Sequence, residues 1–174
     1  YPLPANVIAD MLGVPGEDVD RLKGWSDELA RFVLTARADP DKYAPAAAAL
    51  RSMNAYFERL IAERRARPGE KIIDRLLAAH DGDDLLSLEE LLASCVLLLF
   101  AGHETTTHFF SNGFRALHAH PGQLTLMRAR ADHDGAIKSA VNEMLRWDGP
   151  IIAVSRVAAE DLEFAGATIS AGER

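Results

Sequence analysis

Cysteine is almost missing from this 174-residue chain, which holds only Cys95. One thiol excludes an intramolecular disulfide and fits a reducing compartment, so the cytoplasm is the expected location. Basic charge is also short. Nineteen Lys and Arg stand against 26 Asp and Glu, a formal net charge of −7, with both signs interspersed. A phosphate-binding protein carries a basic stripe, so nucleic acid is not an expected partner. A membrane is not expected either, since no polybasic patch is present. The longest apolar run, Leu91 to Gly102, is broken by Ser94 and falls short of the roughly 20 residues that span a bilayer. Internal repeats are absent, and low complexity is confined to a short Ala run. What the chain does have is 48% apolar residues, enough to build a core at about the length of one domain.

The apolar spacing predicts a mainly helical fold. PLPANVIADMLGVPG reads as a short helix, with Pro4 in its first turn and Gly13-Val14-Pro15 as its stop. A second helix is expected from about Glu17 to Ala36, then a loop over RADPDKYAP, then a third helix from Ala46 to Arg67 with bases in its last turn. Ile72 to His80 is a fourth. Ser87-Leu88-Glu89-Glu90 is a capping box, and nothing firm stops the helix it opens before Pro121. That gives a long central helix over about Ser87 to His120, roughly 50 Å at 1.5 Å per residue. Its first half is apolar nearly all round, which predicts burial. Two shorter helices follow, over about Gly122–Arg130 and Asp134–Trp147. After Gly149-Pro150 the pattern changes to a short strand around Arg156 and a small β-hairpin, Leu162/Phe164 and Ala167/Ile169 flanking Ala165-Gly166.

Within the central helix lies FAGHETTTHFF. It comes close to the zinc-protease signature H-E-x-x-H, but His103 and His108 are spaced i,i+5. At about 100° per residue they point roughly 140° apart instead of about 40°, too far to share a tetrahedral zinc on an intact helix. Two readings remain open. These are ordinary polar residues where a long helix surfaces, or the turn is weakened on purpose. Gly102 costs a helix interior about 1 kcal/mol against Ala, and three β-branched threonines add to this. The Thr105 hydroxyl can bond back to the Ala101 carbonyl. Small residues beside a carboxylate and a hydroxyl describe a groove with a proton donor, and local rules fail most often at functional sites.

Ala101-Gly102-His103-Glu104-Thr105-Thr106 resembles the A-G-x-D/E-T-T/S oxygen-binding motif of the cytochrome P-450 family. About forty residues later, Glu143-Met144-Leu145-Arg146 resembles that family's E-x-x-R motif. Arg156 and the following VAAEDLEFAGATISAG are similar to its R-x-A-x-E-D-x-E-x-x-G-x-x-I-x-x-G segment, and PLPANVIADMLGVPGEDVDRLKGWS is similar to a segment of the soluble bacterial members. The resemblance implies the cytochrome P-450 fold and a haem b-dependent monooxygenase. Such an enzyme inserts one atom of O2 into a small hydrophobic substrate, with electrons from a ferredoxin-type or flavodoxin-type donor.

By the same resemblance, Glu104 and Thr105 deliver protons. Ala101 and Gly102 form the oxygen groove on the haem face, and Arg156 pairs with a haem propionate. Leu97, Phe100 and Ile152 wall the substrate pocket, although plain core packing explains them equally well. Glu143 and Arg146, one turn apart, read by periodicity as an exposed ion pair and by the resemblance as a buried structural one. The two histidines carry no expected role. Cys95 sits inside the apolar run and reads as a core thiol, so no metal ligand is expected in this chain. The family's F-G-x-G-x-x-x-C-x-G loop, with the haem-ligating thiolate, is expected downstream. The chain opens on Tyr1 and closes on Gly172-Glu173-Arg174, so it reads as an internal fragment, a single partial domain over residues 1–174. The rival reading is a degenerate or truncated helical relative that acts as a non-catalytic interaction module.

Overall fold

The computed structural model describes residues 2–34, 40–80, 86–131, 133, 135–154 and 156–173. In order these form helices α1 (Pro2–Leu12), α2 (Val19–Leu34), α3 (Tyr43–Ala66), α4 (Ile72–His80), α5 (Leu88–Ala119), α6 (Pro121–Ala129) and α7 (Ala136–Asp148). Strands β1 (Leu162–Phe164) and β2 (Ala167–Ile169) follow. They group into two compact units, Tyr1–Ser111 and Asn112–Arg174.

The first unit is built around the expected helices. α1 ends in a Schellman arrangement: Val14 N–H donates to Ala9 O at 2.8 Å and Gly13 N–H to Asp10 O at 3.0 Å. This requires the left-handed conformation at residue 13, where φ is +86°, and glycine adopts it without penalty. The same glycine also gives room to Arg64, whose Nη2 donates to Gly13 O at 2.8 Å. α3 starts at Tyr43 rather than Ala46, because Pro45 falls in the first turn, where no amide partner is needed. The end of the second expected helix and the first three residues of the expected loop lie in 35–39, outside the described residues; the loop's remainder forms a 3-10 turn, Pro40–Lys42, and the start of α3. The capping box forms as expected: Ser87 N–H and Oγ–H donate to Glu90 Oε2 at 2.8 and 2.9 Å, and Glu90 N–H donates to Ser87 Oγ at 3.2 Å.

Five helices close one core. Leu12, Leu22, Met53, Phe57, Ile73, Leu91 and Cys95 are fully enclosed. In the first unit the buried positions of α5 are Leu91, Leu92, Cys95, Val96, Leu99 and His103, a helical stripe of about 3.6-residue period. Between them, Leu97 and Ala101 lie on an exposed face. The helix is therefore two-faced, not buried all round.

In the second unit, α5 meets α7 through a bare glycine: a Cβ at Gly113 would lie 2.0 Å from Met144 Cε. Asn112 Nδ2–H donates to Asp148 O at 3.2 Å, and Arg115 pairs with Asp148. Ile137 and Leu145 of α7 are about half exposed. The hairpin has the expected register, Leu162↔Ile169, Glu163↔Thr168 and Phe164↔Ala167. Its two turn residues, Ala165 and Gly166, have φ of 51° and 81°, as a two-residue primed turn demands. The short strand expected around Arg156 is not a strand. The segment is instead held through Ala158, whose N–H donates to Glu173 O and whose carbonyl accepts from Gly172 N–H, both at 2.9 Å. No described helix is long and apolar enough to cross a membrane.

Candidate functional site

The turns of α5 from Leu97 to His108 carry a run of side chains bonded to their own helix. Thr105 Oγ1–H donates to Ala101 O at 2.8 Å, and Thr106 Oγ1–H to Gly102 O at 3.1 Å. His103 Nδ1 lies 2.9 Å from Leu99 O; a carbonyl only accepts, so that nitrogen carries the hydrogen. Three carbonyls, of residues 99, 101 and 102, thus have side-chain partners one turn ahead. The back-bond from Thr105 is the one that its β-branched hydroxyl predicts. Thr107 Oγ1 is buried without a protein partner.

Glu104 does not share a direction with Thr105, as the angle between helix neighbours demands. Its carboxylate sits between the two histidines. Oε1 is 3.3 Å from Nε2 of His103, and Oε2 is 3.3 Å from Nε2 of His108. The Glu104 side chain is 18% exposed, His103 3% and His108 55%. The acid therefore bridges a buried imidazole and a solvent-exposed one, so the histidines carry more than the sequence suggested.

The small residues divide their work. A Cβ on Gly102 would approach Ile8 Cγ1 to 2.6 Å and Cδ1 to 2.9 Å, so the bare face of this glycine receives α1. Ala101 is exposed. Leu97 is also exposed and Thr105 is half-buried, so a small side chain lies between an apolar one and a hydroxyl, a surface whose chemistry suits a flat apolar ring. Cys95 does not suit iron ligation: it is enclosed in the core, and burial pushes its thiol up to about 11.

The other expected residues are placed as follows. Leu97 is 61% exposed and Ile152 98%, so neither is core; Phe100 is half-buried. Arg156 is exposed and belongs to the second unit, as does Ile152. Glu143 and Arg146 form a bidentate pair, Nε to Oε2 at 2.7 Å and Nη2 to Oε1 at 2.6 Å. The guanidinium hydrogen bonds hold the Glu143 carboxyl below its usual range and raise Arg146. Both side chains are exposed, so the pair is not buried in this structure. Sequence reasoning missed two contacts to the site, Ile8 on Gly102 and Asp27 near Glu104. Both come from other helices and leave no local signal.

The family model described as Cytochrome P-450 matches residues 26–129. A cytochrome P-450 of Priestia megaterium is 40% identical over 173 residues, covering 99% of this chain and 40% of that protein. A vitamin D(3) 25-hydroxylase of Pseudonocardia autotrophica is 42% identical over 175 residues, covering 99% of this chain and 41% of that protein. The crystal structure of CalO2 superposes with a TM-score of 0.90 at 32% identity, over 99% of this chain and 42% of that one. The chain thus spans about two-fifths of the length of these relatives.

Proposed function

The chain belongs to the cytochrome P-450 family, and from this we propose that it is part of a haem b-dependent monooxygenase that acts on a small hydrophobic molecule. The observation that carries the reading is the hydroxyl and carboxyl pair on α5. Thr105 is fixed by its bond to Ala101 O on the open side of the helix, and Glu104 stands beside it between two imidazoles. Haem, when bound, supplies the electron chemistry of dioxygen. The remaining work falls to the chain's own residues.

Leu97, Ala101 and Thr105 of the first unit would hold the macrocycle, and Arg156 of the second unit would offer a planar guanidinium suited to a propionate. The Thr105 proton is engaged by Ala101 O, so Oγ1 has two acceptor positions left. There it holds a water or a protonated group, and it donates onward once the hydroxyl rotates off the carbonyl. Glu104 holds the next proton on a carboxyl that is mostly screened from water. The exposed His108 ring touches that carboxyl and so gives it a contact with solvent. Leu97 and Phe100 of the first unit are apolar and suit contact with a hydrophobic substrate, as does the exposed Ile152 of the second unit taken by itself. In the intact enzyme Glu143 and Arg146 support the fold as a pair; in this chain, with both side chains exposed, they contribute little to stability.

The intact enzyme carries its thiolate cysteine outside these 174 residues, works in the cytoplasm and receives electrons from a ferredoxin-type or flavodoxin-type protein. The 174-residue chain alone is inactive. The test is to incubate the intact protein with electron donor, candidate hydrophobic substrates and isotopically heavy dioxygen. One heavy oxygen atom per product molecule supports the proposal. Product labelled only from water, or reductant consumption with no oxygenated product from any substrate, overturns it.

A further inference from the structure

His103 poses a chemical problem in the core. Its Nδ1–H is committed to Leu99 O, which leaves the lone pair of a neutral ring on Nε2. That nitrogen is buried and has no hydrogen-bond partner. What faces it, at 3.3 Å, is Oε1 of Glu104, in ion-pair range but outside hydrogen-bonding geometry. An imidazole lone pair and a carboxylate oxygen repel at this distance unless a cation lies between them. A proton can serve one such contact, between two atoms. Here there is a third atom: an oxygen of Asp27, from α2, joins the group, and the three lie within 4.8 Å of one another.

We propose that Asp27, His103 and Glu104 form a site for one divalent transition-metal ion of the zinc type, held between α2 and α5. Imidazole nitrogen with two carboxylate oxygens is a donor set that zinc accepts, with water completing the shell. The 3.3 Å separation of Nε2 and Oε1 is close to the roughly 3.3 Å subtended by ligands about 2.0–2.1 Å from a tetrahedral centre. The bond from Nδ1–H to a backbone carbonyl fixes the ring and its tautomer, as outer partners of metal-bound histidines do. Asp27 is 46% exposed and pairs with Lys23. A small swing of its carboxylate away from that ammonium closes the site. His108 is not a ligand. It takes the other Glu104 oxygen, Oε2, so the site owes nothing to the near-match to H-E-x-x-H.

The functional consequence rests on the proton-delivery reading of Glu104. An ion on Oε1 occupies the oxygen nearest His103 and holds the carboxylate in place, so it no longer swings to pass a proton and turnover loses its supply. Zinc therefore acts as an inhibitor.

Zinc chloride titrated calorimetrically into the intact protein, in chelator-treated buffer, tests the site without reference to activity. One zinc per chain is expected, weakened at least about tenfold by Asp27→Asn or His103→Gln. No binding, or binding that neither substitution weakens, overturns the site. Replacing His103 can disturb the core, so Asp27→Asn on the wetter side carries the decision. In turnover assays, zinc should lower product formed per reductant in the parent and do so less in Asp27→Asn, each read against its own zinc-free value. Bound zinc with unaltered coupling upholds the site and counts against the proton role of Glu104.

Discussion

Phe57 and Phe164 show the difference between the two units. Phe57 of α3 is 0% exposed, packed among residues from five helices, while Phe164 of β1 is 69% exposed. The contrast is general. Every buried large apolar side chain among the described residues belongs to Tyr1–Ser111, whereas Trp147, Ile151, Ile152, Val154, Val157 and Phe164 of the second unit all lie on its surface. Burial of apolar area is the main favourable term in folding. The first unit thus holds its shape by its own core. The second relies on local devices: the α5–α7 contact at Gly113, the primed turn, and the two bonds at Ala158. It follows that stability should respond to core substitutions in the first unit and hardly at all to apolar truncations in the second.

Phe57→Ala sharpens this comparison most. Removing an enclosed phenyl ring costs about 3–5 kcal/mol, to be read from urea denaturation. Phe164→Ala in the same assay should stay within about 0.5 kcal/mol. Equal losses at the two sites would break the comparison.

A smaller effect is expected at Gly102→Ala. Helix propensity favours alanine by about 1 kcal/mol, but the new methyl meets Ile8 at 2.6 Å, and overpacking costs about 1–3 kcal/mol. A net loss of about 1 kcal/mol is expected. In an Ile8→Ala background the same substitution should become neutral or stabilising, and an unchanged penalty there would show that Ile8 is not the cause.

Ser87→Ala removes the α5 cap at a cost of about 1 kcal/mol. Its partner Glu90 is held below its usual range by the Ser87 N–H and O–H donors. A depressed folded value means that the stabilisation is complete above the unfolded value of about 4.3. It fades as pH falls through the lower folded value. The Ser87→Ala penalty should therefore shrink on acidification, and a penalty that grew instead would contradict the assignment. The smallest effect is expected from Glu143→Gln. With both partners of that pair exposed, the melting temperature of this chain should not move measurably, and a clear drop would place the pair in a buried setting.

The elements were legible in the sequence wherever a local device sets them. The capping box opens α5, Gly13 stops α1, and Ala165-Gly166 turns the hairpin. The Thr105 back-bond was also readable, since it lies within one helical turn. What escaped is tertiary. No period in the sequence says that Ile8 fills the space at Gly102 or that Asp27 reaches the Glu104 turn. The pattern around Arg156 suggested a strand, yet pairing there is confined to Ala158. The exposure of Glu143 and Arg146 followed from periodicity alone.

The central claim is that the hydroxyl of Thr105 takes part in proton delivery. Product formed per electron consumed, measured in the intact enzyme for Thr105→Ala and Thr105→Ser, tests it most directly. The account predicts that Thr105→Ala consumes reductant while product falls well below the parent, and that Thr105→Ser, which keeps the hydroxyl, stays close to the parent. Parent-like coupling in Thr105→Ala would contradict it.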